Sequence, residues 1–120
     1  MQLVELTLDD KSSPYADWFG DLPVDVAVKV TTATLRMQQG NLSNIEWFRG
    51  IGEFKLNFGA GWRIYLAKDG LEIVMLLGGG SKRSQQKDID RAVALWNDYK
   101  QRKQNSAKAT KLAEKAKQKG

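Results

Sequence analysis

Hydrophobic and polar positions change their spacing several times along the chain, and each change marks an element. Gln2 to Leu8 alternates, with Val4, Leu6 and Leu8 on one side, and predicts a strand. Asp9–Lys11 reads as a turn. Ser13-Pro14 then predicts a helix start, with Ser13 as N-cap and Pro14 as the first helical residue. Trp18 and Phe19 mark the buried side of this helix and Gly20 its end. A second helix is expected after Asp21-Leu22, with Pro23 near its first turn. Val24, Val28, Val30 and Leu35 give its period and Gly40 caps its C-terminus. The two helices are expected to form an antiparallel hairpin.

Residues 42–52 read as a loop or a short edge strand. Glu53–Phe58 alternates strictly: Phe54, Leu56 and Phe58 point one way, Glu53, Lys55 and Asn57 the other. Gly59-Ala60-Gly61 predicts a hairpin turn, after which Trp62–Leu66 carries Arg63 and Tyr65 on one face. Lys68-Asp69-Gly70 predicts a second turn and Leu71–Leu77 a strand buried on both faces. Gly78–Arg83 reads as a loop and Ser84–Arg102 as a helix whose apolar side is Ile89, Val93, Leu95, Trp96 and Tyr99. This order predicts an α+β domain over residues 1–103, followed by a Lys/Ala-rich tail over 104–120. The tail's one large apolar residue is Leu112, so a fraying or independent helix, or disorder, is expected there.

Composition narrows the chemistry. The 120 residues include no His and no Cys, which excludes disulfides and any thiolate or imidazole metal site. No metal and no cofactor are expected. No apolar run is long enough to span a bilayer. The N-terminal MQLVELTLDD has acidic residues where a signal peptide needs basic ones, so a cytoplasmic location is expected. The net charge of +5 is unevenly spread. Lys100–Gly120 holds eight cations and one anion, whereas residues 1–47 hold three cations and seven anions. The basic character lies in the sheet half and the tail, which points to a polyanionic partner.

If the hairpin pairs across its turn, Lys55 and Asn57 share a face with Arg63 and Tyr65, and the loop with Ser81, Lys82 and Arg83 closes over it. Such a groove suits several phosphates, and the Tyr65 ring would stack on an unpaired base. RNA cleavage needs the 2′-hydroxyl deprotonated, the pentavalent phosphate stabilised and the leaving oxygen protonated. Without histidine, like-charge crowding by Arg63 and Lys82 would favour the neutral amine of Lys55 as base. Arg63 would stabilise the phosphorane, and Lys82, Arg83 or Tyr65 would act on the leaving group. Surface charge with no catalysis is the plainer reading of the same residues. Trp62, next to the hairpin glycine, and Lys87, beyond the basic loop, complete the candidate RNA contacts.

The segment from about Tyr15 to Tyr99 resembles toxins of the RelE/ParE superfamily, in particular the HigB-like addiction-module killer branch. The resemblance rests on Trp18-Phe19, Leu35…Gln39-Gly40-Asn41, Gly50-Ile51-Gly52-Glu53-Phe54-Lys55-Leu56, Gly59-Ala60-Gly61-Trp62-Arg63-Ile64-Tyr65, Leu76-Leu77-Gly78-Gly79-Gly80-Ser81-Lys82 and Gln86-Lys87-Asp88-Ile89. It implies two N-terminal helices packed on a small, mostly antiparallel sheet with a C-terminal helix. It implies a toxin neutralised by a cognate antitoxin, often a helix-turn-helix protein, and cleavage of messenger RNA on the ribosome. The family's catalytic groups fall on Lys55, Arg63 and Lys82 or Arg83. A second sheet Lys of some relatives falls on Asn57, and Ser81 stands where the loop usually has an acid. Two other functions share the pattern: non-catalytic inhibition of DNA gyrase, as for ParE-like relatives, and a decayed member that binds only an antitoxin or RNA.

Overall fold

A computed structural model describes residues 1–119, with side chains to Lys117. The fold is α+β, a five-stranded mixed sheet with helices on both faces. The chain begins with strand β1 (Gln2–Glu5), then runs through α1 (Pro14–Gly20) and α2 (Val24–Gln38). Strands β2 (Ile45–Phe48), β3 (Ile51–Lys55), β4 (Arg63–Asp69) and β5 (Ile73–Gly80) follow, then one 3₁₀ turn (Lys82–Ser84) and α3 (Gln85–Lys119). The expectation of two helices at the N-terminus is corrected, because a strand precedes them. That strand is structural: β1 pairs parallel with β5 at one edge of a sheet of order β1-β5-β4-β3-β2, whose other pairings are antiparallel.

Local chemistry accounts for the elements. The Ser13 hydroxyl accepts from the Ala16 amide at 3.0 Å, and Pro14 is the first residue of α1. Gly40, at φ +92°, follows α2 in the left-handed region. Between β2 and β3, Arg49 and Gly50 both have positive φ, the requirement of a two-residue turn that matches the strands' twist. The residues of 42–52 do not announce this hairpin, because a non-glycine residue at the first turn position gives no signal.

The sheet separates two cores. On one face α1 and α2 bury Tyr15, Val26, Val30, Ala33 and Met37 against Ile45, Ile64, Leu66, Val74 and Leu76. The buried stripe of α2 is Val26–Val30–Ala33–Met37, not the expected one; of the four residues assigned to it only Val30 is inside, and Val24, Val28 and Leu35 are exposed. Stretches rich in apolar residues on two sides leave the period ambiguous, and the sheet chooses the side. α1 is set on β5 and α2 on β1. On the other face the first half of α3 lays Ile89, Ala92 and Trp96 over Leu6, Ile51, Tyr65, Ala67, Met75 and Leu77.

Two further corrections concern β5. Leu71 lies in the preceding turn and is exposed, and Gly78-Gly79-Gly80 is strand rather than loop. The glycines carry close approaches. A β-carbon at Gly79 would collide with the Trp18 ring, and one at Gly80 with the Asp88 carboxylate. The tail continues α3 without a break to Lys119, while Gly120 lies outside the described residues. From Gln104 to Lys117 every side chain is exposed, so this half of the helix packs on nothing, and it accounts for a long dimension of 62 Å. Among the described residues no helix is long and apolar enough to cross a membrane.

Candidate functional site

Strand register brings the expected cations together. Lys55, the last residue of β3, stands directly opposite Arg63, the first of β4, so their side chains leave the same face of the sheet. The Leu56 amide donates to the Trp62 carbonyl at 2.8 Å and the Gly61 amide to the Phe58 carbonyl at 3.2 Å, which shapes the intervening turn. The Lys82 amide donates to the Ala60 carbonyl at 3.2 Å and ties the basic 3₁₀ turn to it. Lys55, Asn57, Arg63 and Lys82 thereby line one open depression of about 350 Å³. Its floor includes Gly59 and Gly61, both in the left-handed region, where the chain folds close enough for Lys82 to reach.

Carboxylates that the sequence did not single out control these cations. Glu53 is 2% exposed and accepts from Gln85 Nε2 at 3.0 Å. Its oxygens lie 3.7 Å from Arg63 Nε and 3.8 Å from Lys55 Nζ, and Glu46 adds a contact to Lys55 at 3.9 Å. Alternation places Glu53 on the Lys55 face, and this is the signal the sequence offers. Its burial depends on α3, which supplies Gln85. Lys55 stands beside Arg63 and Lys82 as expected, but acids flank its ammonium group as well. Arg63 is 7% exposed, donates from Nη1 to the Gly61 carbonyl at 2.8 Å, and leaves Nε without a hydrogen bond. Three cations, Lys55, Arg63 and Lys82, line the depression, and the two carboxylates that pair with the first two, Glu53 and Glu46, lie outside its lining.

The other expected residues fall elsewhere. Arg83 and Lys87 are exposed and do not line the depression. Trp62 is half-buried, its ring packed with the α1–α2 core. Tyr65 cannot offer a stacking face, since it is 1% exposed beneath α3. Burial, then the neighbouring Glu53 charge, raises its phenol well above the usual tyrosine range, so it stays protonated. Among the described residues no three His, Cys, Asp or Glu side chains gather as metal ligands.

The structure is that of an α+β protein with a small cation-lined depression at the end of a hairpin. Over 68 residues, 56% of this chain and 69% of the other, it is 38% identical to an uncharacterized protein of Haemophilus influenzae (strain ATCC 51907 / DSM 11121 / KW20 / Rd). The chain belongs to the same family as that protein. No family model matches it, and no solved structure matches it.

Proposed function

We propose that this protein is a toxin of the RelE/ParE type, a ribosome-dependent endoribonuclease that cuts messenger RNA and is held inactive by a cognate antitoxin in the cytoplasm. The observation that carries this reading is the in-register opposition of Lys55 and Arg63 with Lys82 closing the same depression. A ribonucleotide phosphate seated there meets an arginine at its back and two lysines at its rim. As the 2′-hydroxyl gives its proton to water and its oxygen bonds to phosphorus, the bond to the 5′-oxygen breaks and that oxygen takes up a proton; charge grows on the non-bridging oxygens, and Arg63 with Lys55 stabilises it. Lys82, exposed and tethered through its amide, contacts the phosphate or leaving oxygen. Arg83 and Lys87 serve as peripheral contacts to the RNA backbone. With acids beside Lys55, its part is to clamp phosphate, and the ribosome supplies the orientation that the cleft lacks.

One observation favours a second reading, in which the protein binds without cutting, as a gyrase inhibitor or an antitoxin- or RNA-binding relative. Both sheet cations are already engaged by Glu53, and the chain has no histidine to move a proton near neutral pH. Mapping transcript 5′ ends after brief induction separates the two. New ends in coding regions, absent in Lys82→Ala and in Lys55→Gln, are expected. Growth arrest with intact transcripts and altered supercoiling would transfer the protein to the inhibitor class. Lys82 is exposed, so its replacement tests function without threatening the fold.

A further inference from the structure

The cations of α3 change their role at Lys103. Up to that point they tie the helix together and to the body: Arg102 pairs with Asp98 at 2.9 Å and Lys103 with Asp69 at 2.8 Å. From Gln104 to Lys117 every side chain is exposed. Among the described residues, Lys108, Lys111, Lys115 and Lys117 form no ion pair, and Glu114, the one acid beyond Lys103, pairs with none of them.

These lysines are not spread evenly around the helix. With about 3.6 residues per turn, the spacing of three and then four residues puts Lys108, Lys111 and Lys115 on one stripe, and Gln104 extends it toward the body. Lys117 lies on the opposite side. The stripe sets its charges along roughly 10 Å of helix axis. Like charges at these spacings repel, so the arrangement weakens the isolated helix, and an outside anion would offset that.

The stripe is also far from the cationic depression. α3 starts beside the basic 3₁₀ turn, where Gln85 bonds Glu53, crosses the sheet to Asp69 at the other end of β4, and then projects. Lys108 lies about 35 Å along the axis from Gln85. It therefore belongs to a second site.

The residue types say what this site would hold. No aromatic residue follows Tyr99, so the projecting helix has no ring to stack on an unpaired base. Leu112 is its one large apolar residue, too little for a face that sinks into a bilayer or for the anchors of a protein interface. What remains is a row of charge on a rod. The matching surface is one of dense, regular negative charge, and duplex nucleic acid carries about one charge per 1.7 Å of its axis. We propose that the outer half of α3 is a backbone anchor for duplex nucleic acid, with Lys108, Lys111 and Lys115 contacting phosphates and no base being read. Folded RNA and DNA present the same phosphodiester chemistry. The anchor goes beyond the nuclease reading and does not require it; under that reading it would hold the protein on helical ribosomal RNA while the depression takes the message.

The test follows fluorescence anisotropy of a short labelled duplex RNA, a duplex DNA of the same length and the single strands, each titrated with the full-length chain over a range of salt. Saturable duplex binding is expected, with weaker binding of the single strands. Lys108→Gln, Lys111→Gln and Lys115→Gln together keep good helix formers in place. They should weaken duplex binding by about tenfold or more and flatten the salt slope by about 2 to 3, since each phosphate contributes about 0.9. A second variant keeps composition and net charge but distributes the lysines around the helix: Lys108→Ala with Ala109→Lys, and Lys115→Thr with Thr110→Lys. It should lose most of the same affinity. Both variants lie where α3 packs on nothing, so neither threatens the body.

Wild-type affinity in the second variant would reduce the helix to bulk charge and overturn the proposal. An unchanged slope in the glutamine variant, tighter binding of single strands than of duplex, or tighter binding of phosphatidylserine vesicles overturns it as well. A preference for duplex RNA assigns the anchor to folded RNA and a preference for DNA assigns it to DNA; either supports the anchor. Transcript cutting without stripe-dependent duplex binding sinks the anchor alone, and duplex binding without cutting sinks the nuclease reading alone.

Discussion

Lys55 and Arg63 stand directly opposite each other on β3 and β4, yet both turn their charge toward one buried carboxylate, Glu53, at 3.8 and 3.7 Å. The acid holds two cations side by side that would otherwise repel, and it does so from beneath α3 through Gln85. Glu53→Gln keeps the shape and removes the charge. Removing one partner of a fully buried pair costs about 3–5 kcal/mol. Here Lys55 is half exposed and Arg63 keeps the Gly61 carbonyl, so a loss of roughly 2 kcal/mol is expected. Urea unfolding measures it, and an unchanged midpoint would show that Glu53 does not anchor the pair.

The far end of β4 is pinned to α3 by a second acid. Asp69 accepts from Lys103 Nζ at 2.8 Å and from the Tyr99 hydroxyl at 2.6 Å. Lys103 first, then Tyr99, holds its carboxyl below the usual range, and Lys103 is correspondingly raised. A lowered carboxylate contributes stability above its unfolded value near 4 and loses it as pH falls through the folded one. A raised lysine contributes below about 10.4 and loses it as pH rises through its folded value. Amide exchange over residues 99–103 should therefore accelerate at both extremes, while residues 89–96 stay protected. Asp69→Asn should abolish the acid limb; persistence of that limb would assign the effect to another group.

Gly79→Ala should be costly although the site is an ordinary strand position. Its β-carbon would overlap the Trp18 ring, which cannot retreat without moving α1. Overpacking of this kind costs about 1–3 kcal/mol. Thermal melting checks it, and a melting temperature equal to that of the parent would mean that α1 is loosely held.

The outer half of α3 should be dispensable for folding but not for anion binding. Deleting residues 104–120 removes five lysines and one glutamate, and none of the described side chains there packs on the body. The melting temperature is expected to hold. Affinity for single-stranded RNA should fall, and the salt slope should flatten by about 0.7 for each phosphate that the shortened chain no longer neutralises. An unchanged slope removes the helix from RNA binding.

The alternation from Glu53 to Asn57 and from Arg63 to Tyr65 is enough to read a hairpin with Lys55 and Arg63 on one face, because a period of two is local and the Gly59–Gly61 turn is explicit in the residues. Ser13-Pro14 announces α1 for the same reason: a cap is an interaction between near neighbours. Beyond these, distant partners decide. Whether the Tyr65 face is solvated or covered depends on where α3 comes to rest, and it rests on top. That covering turns an expected stacking ring into a buried phenol and an unremarked Glu53 into the anchor of the cationic pair. Which side of α2 faces inward, and whether Gly78–Gly80 is loop or strand, follows from packing against the sheet, Trp18 and Asp88. Charge, periodicity and turn chemistry are properties of neighbours in the chain and can be read from it. Burial belongs to neighbours in space, and only the folded arrangement assigns it.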